Sequence, residues 1–382
     1  MGVETFSVRD FDPSGDVSAL RRDVRAFIAE HAPKTADAAS RVNCWAVGDA
    51  EFSRALGQAG YIGMIWPEAY GGGERHPLER YVVLEELLAA GAPVGMHWIA
   101  DRQTGLLLLR YGSEALKQRY LPAMARGELY ACIGMSEPGS GSDLASVRAR
   151  GVRDGDGWRI TGQKTWTTNA HNARIMIALV RTEEGSERQN GLTQFVIELD
   201  QPGVTVRPII DLTGGHDFNE VFLEDVFVPD EMRVGEAGAG WSQVTAELSL
   251  ERSGPERYLS SHALLVELIR AAGPEPSTQM AVLIGEITAR LTTIRRMSMS
   301  TAAKLAAGED PVLEAAVVKD LGNAFEQWMP RAVQAAVDVD LADRSDLARV
   351  LALLLQVSPS FSLRGGTREI LRGIIARGLG LR

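Results

Sequence analysis

The hydrophobic period of this chain changes twice, and those two changes limit the folds open to it. Near the N-terminus apolar residues recur at helical spacing, as in Val17, Leu20, Val24, Phe27 and Ile28. From about Leu129 the spacing alternates. RARGV, WRITG, RIMIALV, LTQFVIEL, VTVRPII and NEVFLEDVFVP are short β-rich runs, separated by turn signals such as Asp154-Gly155-Asp156-Gly157. From Gly240 the reading is helical again to the end. This order predicts an α+β fold: an N-terminal α-helical domain over residues 1–128, a middle, mostly antiparallel β-domain over 129–233, and a C-terminal α-helical bundle over 234–382.

Local signals place several boundaries. Asp16 is the expected N-cap of the first helix, with Pro33 beyond its end. A second helix opens near Asp49 and closes at Gly60. Pro67 and the run Gly71, Gly72 and Gly73 break the chain before a helix holding Glu85 and Glu86, whose carboxylates are expected on a solvated face. Helices over 96–110 and 113–126 follow, the latter capped by Ser113. A long helix opens near Gly240 and should kink or restart at Pro255. Further helices are expected over about 277–307, 311–337 and 340–357.

Composition removes some functions. With 382 residues, 45% of them hydrophobic, the chain can bury a large core. A formal net charge of −10 without a run of lysines or arginines argues against nucleic acid as a partner. Cys44 and Cys132 stand far apart with no metal-ligand spacing, so no metal is expected and both read as buried thiols in a reducing compartment. The segment MGVETFSVRDFDPSGD lacks a signal-peptide core, and no later stretch reads as apolar for long enough to span a bilayer. The expected location is the cytoplasm, away from membranes.

Two short sequences carry the chemistry. In IGMSEPGSGSD (133–143), Ser136, Gly139 and Gly141, interrupted by Pro138 and Ser140, form a turn where backbone N–H groups and small hydroxyls can converge on a polar ligand. In QKTWTTN (163–169), Trp166 offers a flat face beside the hydroxyls of Thr165, Thr167 and Thr168. A planar cofactor carrying phosphates would use both. Taken singly, the first also reads as a surface loop and the second as a strand packed on a core.

The pair at this spacing resembles the acyl-CoA dehydrogenase family, as do PEAYGG (67–72) and FNEVFLEDVFVP (218–229). The resemblance implies FAD, contacted by Ile133, Met135, Ser136, Gly141, Ser142, Trp166 and Thr168, with Thr367 as a further contact and Ser142 also facing the substrate. It implies α,β-dehydrogenation of an acyl-CoA thioester. A carboxylate of raised pKa removes the α-proton, and the flavin accepts the β-hydrogen as hydride. Most of the family carries that base in a C-terminal YEGT motif, whose equivalent here is SLRGGTREILRGIIARGLG, with Arg364 and Gly365 in place of tyrosine and glutamate. A minority places it on the long helix after GxG in a sequence like LDLERL. Here LSLER puts Glu251 in that role, against the plainer reading of Glu251 and Arg252 as helix-surface charges.

Gly365 retains the backbone N–H that in the family stabilises the thioester oxygen. Its missing side chain leaves room for a branched or bulky acyl group. His97 and Asp101 form a polar cluster with Trp98 and Arg102 on a helix that in the family helps to line the acyl pocket. They read either as substrate contacts, along with Arg252, or as a surface or interface patch.

The resemblance further implies an electron-transfer flavoprotein as acceptor. The family's RxxFG and QxxGGxG segments, which complete a neighbour's FAD site, are not found. LIRAAGPEPSTQMAVLIGE and MPRAVQAAVDVDLADRSDLARVL stand in their places. This pattern resembles members, often acting on steroid side chains or other bulky acyl-CoAs, in which two different chains form an α2β2 heterotetramer. The expectation is therefore a second dehydrogenase-like subunit, with a homo-oligomer as the alternative. A non-catalytic subunit and an oxygen-using flavoenzyme on the same scaffold stay open as other functions.

Overall fold

A computed structural model of the protein describes residues 6–11, 17–34 and 37–381, and the side chains of 247–251 lie outside that description. The expected cap Asp16 and the side chain of Glu251 therefore fall outside the described residues. In chain order the helices and strands are α1 (Val17–His31), α2 (Ala50–Gln58), α3 (Pro77–Ala90), α4 (Gly95–Ile99), α5 (Gly105–Tyr111), α6 (Glu114–Ala125), β1 (Ala131–Gly134), β2 (Arg150–Asp154), β3 (Gly157–Thr168), β4 (Ile175–Arg181), β5 (Leu192–Glu198), β6 (Val204–Ile209), β7 (Phe218–Pro229), β8 (Arg233–Val234), α7 (Gly240–Glu251), α8 (His262–Ala272), α9 (Thr278–Ala306), α10 (Val312–Ala336), α11 (Asp346–Val357) and α12 (Arg368–Gly378). They form two compact units. One comprises Met1–Val47, His76–Pro93 and Ser249–Arg382, the other Gly48–Arg75 and Val94–Leu248.

The helix starts are written locally. Asp49 caps α2 by accepting from the Phe52 N–H at 2.8 Å. Ser113 caps α6, Ser277 caps α9 and Ser345 caps α11 in the same way. His76 caps α3 in a reciprocal box with Glu79, and Pro77 supplies a first residue that has no N–H to satisfy.

The second unit holds a mixed sheet ordered β6-β7-β3-β2-β4-β5-β8, with β1 parallel to β4. The ladders β2–β3, β3–β7, β4–β5, β5–β8 and β6–β7 are antiparallel, as alternating strands with tight turns require. The first of these is closed by Gly155, at φ +57°, and Asp156. Ile175 to Val180 on β4 are all buried, which is why that strand reads as a continuous apolar run. Leu107, Leu108, Leu116, Tyr120, Leu121 and Met124 from α5 and α6 join β4 and β5 in one core. β1 is four residues long, too short for its period to show in the sequence. Between α4 and α5 the helix continues as a π-helical turn, Ala100–Thr104.

In the first unit, Glu85 and Glu86 correct the expectation of a solvated face. Both are buried. Glu85 accepts from Arg295 at 2.6 and 2.8 Å, from Arg21 at 2.7 Å and from the Tyr258 hydroxyl at 3.1 Å. Arg21 and Arg25 pair with Glu86. Burial pushes the Glu85 carboxyl up, but the guanidinium groups of Arg295 and Arg21 outweigh it and hold the group below the usual carboxylate range. The cations come from distant parts of the chain, so no local pattern announces the pairing.

Pro255 also acts as a restart. α7 ends at Glu251, and Pro255–Arg257 form a 3-10 turn. A second correction concerns hydropathy: the segment Asp346–Leu363 is long and apolar enough, by length and composition, to cross a membrane. Its helical part, α11, buries Leu347, Ala348, Val350, Leu351 and Leu354, as an ordinary amphipathic core helix does. Cys44 and Cys132 are free thiols, both buried as expected, and burial pushes the Cys44 thiol up to about 12.

Candidate active site

The two motifs of the second unit meet. Ile133 is half-buried on β1, and beyond that strand the chain passes the half-buried Met135 and Ser136 and closes a tight turn in which Glu137 and Ser140 exchange N–H···O bonds of 2.9 and 3.0 Å. The Thr165 N–H donates to the Ser136 carbonyl at 2.9 Å and ties that turn to β3. Beneath both lies Lys164, wholly buried. Its ammonium donates to Glu137 Oε1 at 2.8 Å and to the carbonyls of Met135 and Leu179 at 3.2 and 2.6 Å. Glu137 also accepts from the Arg148 and Ala149 N–H groups at 2.7 and 2.9 Å. Burial pulls the Lys164 ammonium down to about 8 against the opposing pull of Glu137, so it is still charged at neutral pH.

Trp166 is set outward by a defect in pairing. Lys164 pairs with Val221 and Thr167 with Asn219, so β3 spends one residue more than β7 over that stretch. This is a β-bulge. Trp166 takes φ +58°, a left-handed conformation that costs a non-glycine residue about 1–2 kcal/mol. Its indole is 59% exposed and meets Phe218 edge-on at 5.8 Å. Buried Asn219 braces the bulge by donating to the Thr167 carbonyl at 3.0 Å. Thr168 lies half-buried one residue beyond, and Gly141 and Ser142 are exposed on the loop after the tight turn.

These residues pass a test for a flat, phosphate-bearing group. A large aromatic face is held rigidly outward at an energetic cost that packing does not explain. The glycines also have no internal reason: a Cβ built on Gly139 or Gly141 would meet no atom within 4 Å, and neither has a positive φ. Thr167 Oγ1 is buried with no hydrogen-bond partner among the described residues. Open space over the loop and an outward indole face suit FAD.

Other sequence-selected residues have internal work. His97 is buried, its Nδ1 2.8 Å from the Ser53 hydroxyl, and buried Asp101 accepts from the Gly63 N–H at 2.9 Å. That burial corrects the reading of the pair as a surface patch. Burial pulls the His97 imidazole down to about 4, against a smaller opposing effect of Asp101. The folded chain thus keeps it neutral to about pH 4, whereas an unfolded chain takes up the proton near ~6.5. The unfolded state binds more protons in between, so stability is lost as pH falls from 6.5 to 4, by about 3 kcal/mol at the limit. Denaturation curves over that range should show the loss, and His97→Gln should flatten it. A variant with the full acid-side loss would assign the effect elsewhere.

In the first unit, Gly365 and Gly366 take φ +64° and +106°, and Thr367 stands at the N-cap of α12. Arg252 is buried, which removes the reading of it as a helix-surface charge. Among the described residues no group of three or more His, Cys, Asp or Glu is placed to hold a metal ion. The Glu137–Lys164 pair was missed by sequence reasoning. The one available signal was an acid in the first motif and a lysine in the second, since two motifs serving one ligand need a link.

Fold and site together define a flavin-dependent oxidoreductase, and comparison with known proteins gives its family. The descriptions "Acyl-CoA dehydrogenase, N-terminal domain" and "Acyl-CoA dehydrogenase, middle domain" match residues 14–128 and 132–226. The chain belongs to the acyl-CoA dehydrogenase family, whose members bind FAD and oxidise CH–CH bonds. Acyl-CoA dehydrogenase IpdE1 of Mycobacterium tuberculosis is 36% identical over 86% of this chain and 87% of its own. Acyl-CoA dehydrogenase FadE34 of the same organism is 31% identical over 95% of this chain, which spans about half (49%) of that relative's length. Among solved structures, the "Tcur3481-Tcur3483 steroid ACAD" superposes with a TM-score of 0.86 at 26% identity, covering 98% of this chain and 99% of that one.

Proposed function

We propose that this chain catalyses α,β-dehydrogenation of a bulky or branched acyl-CoA thioester such as a steroid side chain, with Glu251 as the α-proton base and an electron-transfer flavoprotein as acceptor. The observation that carries the reading is Trp166, held outward on a bulge whose neighbour Thr165 is bonded to Ser136. Ile133, Met135, Ser136, Gly141, Ser142, Trp166 and Thr168 are the residues that would hold FAD, with Thr367 as a further contact. When bound, FAD supplies the acceptor for the β-hydride.

The chain's own groups handle the proton and the developing charge. Glu251 is the carboxylate that LSLER supplies where the YEGT glutamate is replaced by Gly365. The Gly365 N–H is the donor for the thioester oxygen as negative charge builds on it. The absence of a side chain at Gly365 supports a bulky acyl group, and so does the word steroid in the name of a structural neighbour. That name also pairs two designations, in line with an α2β2 assembly in which this chain bears the base.

A panel of straight-chain, branched and steroid-side-chain acyl-CoA thioesters, added anaerobically to the flavin-loaded protein with any co-purifying chain, tests the reading. Bleaching of the flavin by a bulky thioester is the expected result. An oxidised spectrum throughout the panel would sink it, and rapid reoxidation by oxygen would move the assignment to an oxygen-using flavoenzyme. Trp166→Ala should leave the fold intact, because the indole is exposed, and weaken flavin retention by about 3- to 10-fold. Unchanged FAD content after dialysis would remove Trp166 from the site.

A further inference from the structure

Helix α10 carries a buried polar stripe in the middle of a helical bundle. Lys319 and Glu326 are seven residues apart, close to two full turns, and so lie on one face about 10 Å apart along the axis. Both are wholly buried. Burying two charged side chains in a bundle is costly unless each is bound in a definite geometry, so what they hold matters.

They hold the two ends of one loop. Glu326 Oε2 accepts from Arg364 Nη2 at 3.0 Å. Arg364 Nη1 further donates to Asn43 Oδ1 at 3.0 Å and to the Ser260 hydroxyl at 3.2 Å, and its guanidinium stacks over Phe361 at 4.2 Å. At the other end, the Lys319 ammonium donates to the Gly366 carbonyl at 2.9 Å. Between these two anchors sits Gly365.

The same stripe seats the chain that follows Glu251. Glu326 Oε1 accepts from the Ser260 N–H at 2.8 Å. Gly322, on the turn between Lys319 and Glu326, admits the Arg257 carbonyl so closely that a Cβ there would lie 2.1 Å from it. One helix face thus references both the segment after the candidate base and the loop at 364–366.

Anchors are needed because of the glycines. Gly365 and Gly366 both sit at positive φ. The Gly365 N–H belongs to the peptide that joins Arg364 to Gly365, and two adjacent glycines have the widest backbone freedom of any pair, so that peptide does not keep its direction by local stereochemistry. A hydrogen bond to a developing oxyanion weakens steeply once its angle drifts, and a misplacement of about 1 Å costs on the order of 10²-fold in rate.

We infer that Lys319 and the Arg364–Glu326 pair are positioning residues that aim the Gly365 N–H at the substrate's thioester oxygen. The inference rests on the function proposed above. Lys319 fixes the loop through the Gly366 carbonyl, and Arg364 fixes it through its own side chain. Neither touches the reacting atoms.

The test uses the flavin-loaded protein, with any co-purifying chain, carrying Lys319→Met or Arg364→Lys. Two probes are used: the panel thioester with the highest turnover, and its CoA thioether counterpart, which keeps the chain but has no carbonyl. The expected result is a fall in kcat of about 10- to 100-fold, with flavin content, KM and the Kd of the thioether within twofold of wild type. A purely structural role would weaken thioether binding and thermal stability along with kcat, and that outcome overturns the proposal. So does an unchanged kcat in both folded variants. If Lys319→Met does not fold, Arg364→Lys, which keeps the charge and loses the planar fork, decides by the same readouts. Failure of the wild type to bleach with any thioester is a separate outcome that refutes the proposed function itself.

Discussion

Glu251→Gln is expected to retain full flavin and to lose about 10² to 10⁴-fold in kcat, the range over which a positioned general base contributes. The substitution keeps the size of the side chain and removes only its capacity to take a proton. It should leave substrate binding near wild type, because the base acts when the α-proton moves. Stopped-flow bleaching of the bound flavin by the most active thioester isolates this step from reoxidation. Turnover within about tenfold of wild type would take Glu251 out of the mechanism. A large loss of FAD would assign it a role in the fold. The proposal of Glu251 as base rests on resemblance: SLRGGT resembles the family's YEGT segment with Gly365 in place of its glutamate, and LSLER offers a carboxylate on α7, which ends at Glu251.

Lys164→Met is expected to cost about 3–5 kcal/mol of stability, the penalty for leaving a buried charge without its partner. Glu137 would keep its two backbone N–H donors at 2.7 and 2.9 Å and lose the ammonium at 2.8 Å. Met135 and Leu179 would lose a donor to their carbonyls as well. Adding Glu137→Gln removes the stranded charge and should restore part of the loss, giving a clear non-additivity. The flavin should also be held more weakly, since the turn at Glu137 and the bulge at Trp166 share this pair as their footing. Chemical denaturation of the two single variants and the double variant measures all three terms. A single-variant cost below about 1 kcal/mol would mean that water or a rearranged turn replaces the ammonium, and that the pair does not hold the motifs together.

Much of this protein was legible because its signals are local. Asp49, Ser113 and Ser277 cap helices where the sequence places them, and Asp154-Gly155-Asp156-Gly157 closes a hairpin, because each acts on its own turn of backbone. The strands β2 to β7 follow from short β-rich runs, continuous and apolar in β4, and from the turns between them. The two sequences proposed to face the flavin are also local, since a ligand that approaches backbone and an indole face demands particular residues in order.

Tertiary structure decided the charges and the strain. Glu85 and Glu86 look like the polar face of α3, yet Arg295, Arg21 and Arg25 reach them from elsewhere in the chain and pair with them inside the fold. Trp166 reads as a strand residue, and only the count of β3 against β7 shows a bulge that turns it outward. Arg364 reads as a lost tyrosine, and only α10 supplies the Glu326 that makes it an anchor. The sequence by itself determined which segments are helix, strand and turn, because a residue's effect on its own backbone and its nearest turn does not depend on distant chain. It could not determine which buried charge meets which, because that pairing is fixed by where the fold brings remote side chains within hydrogen-bond reach.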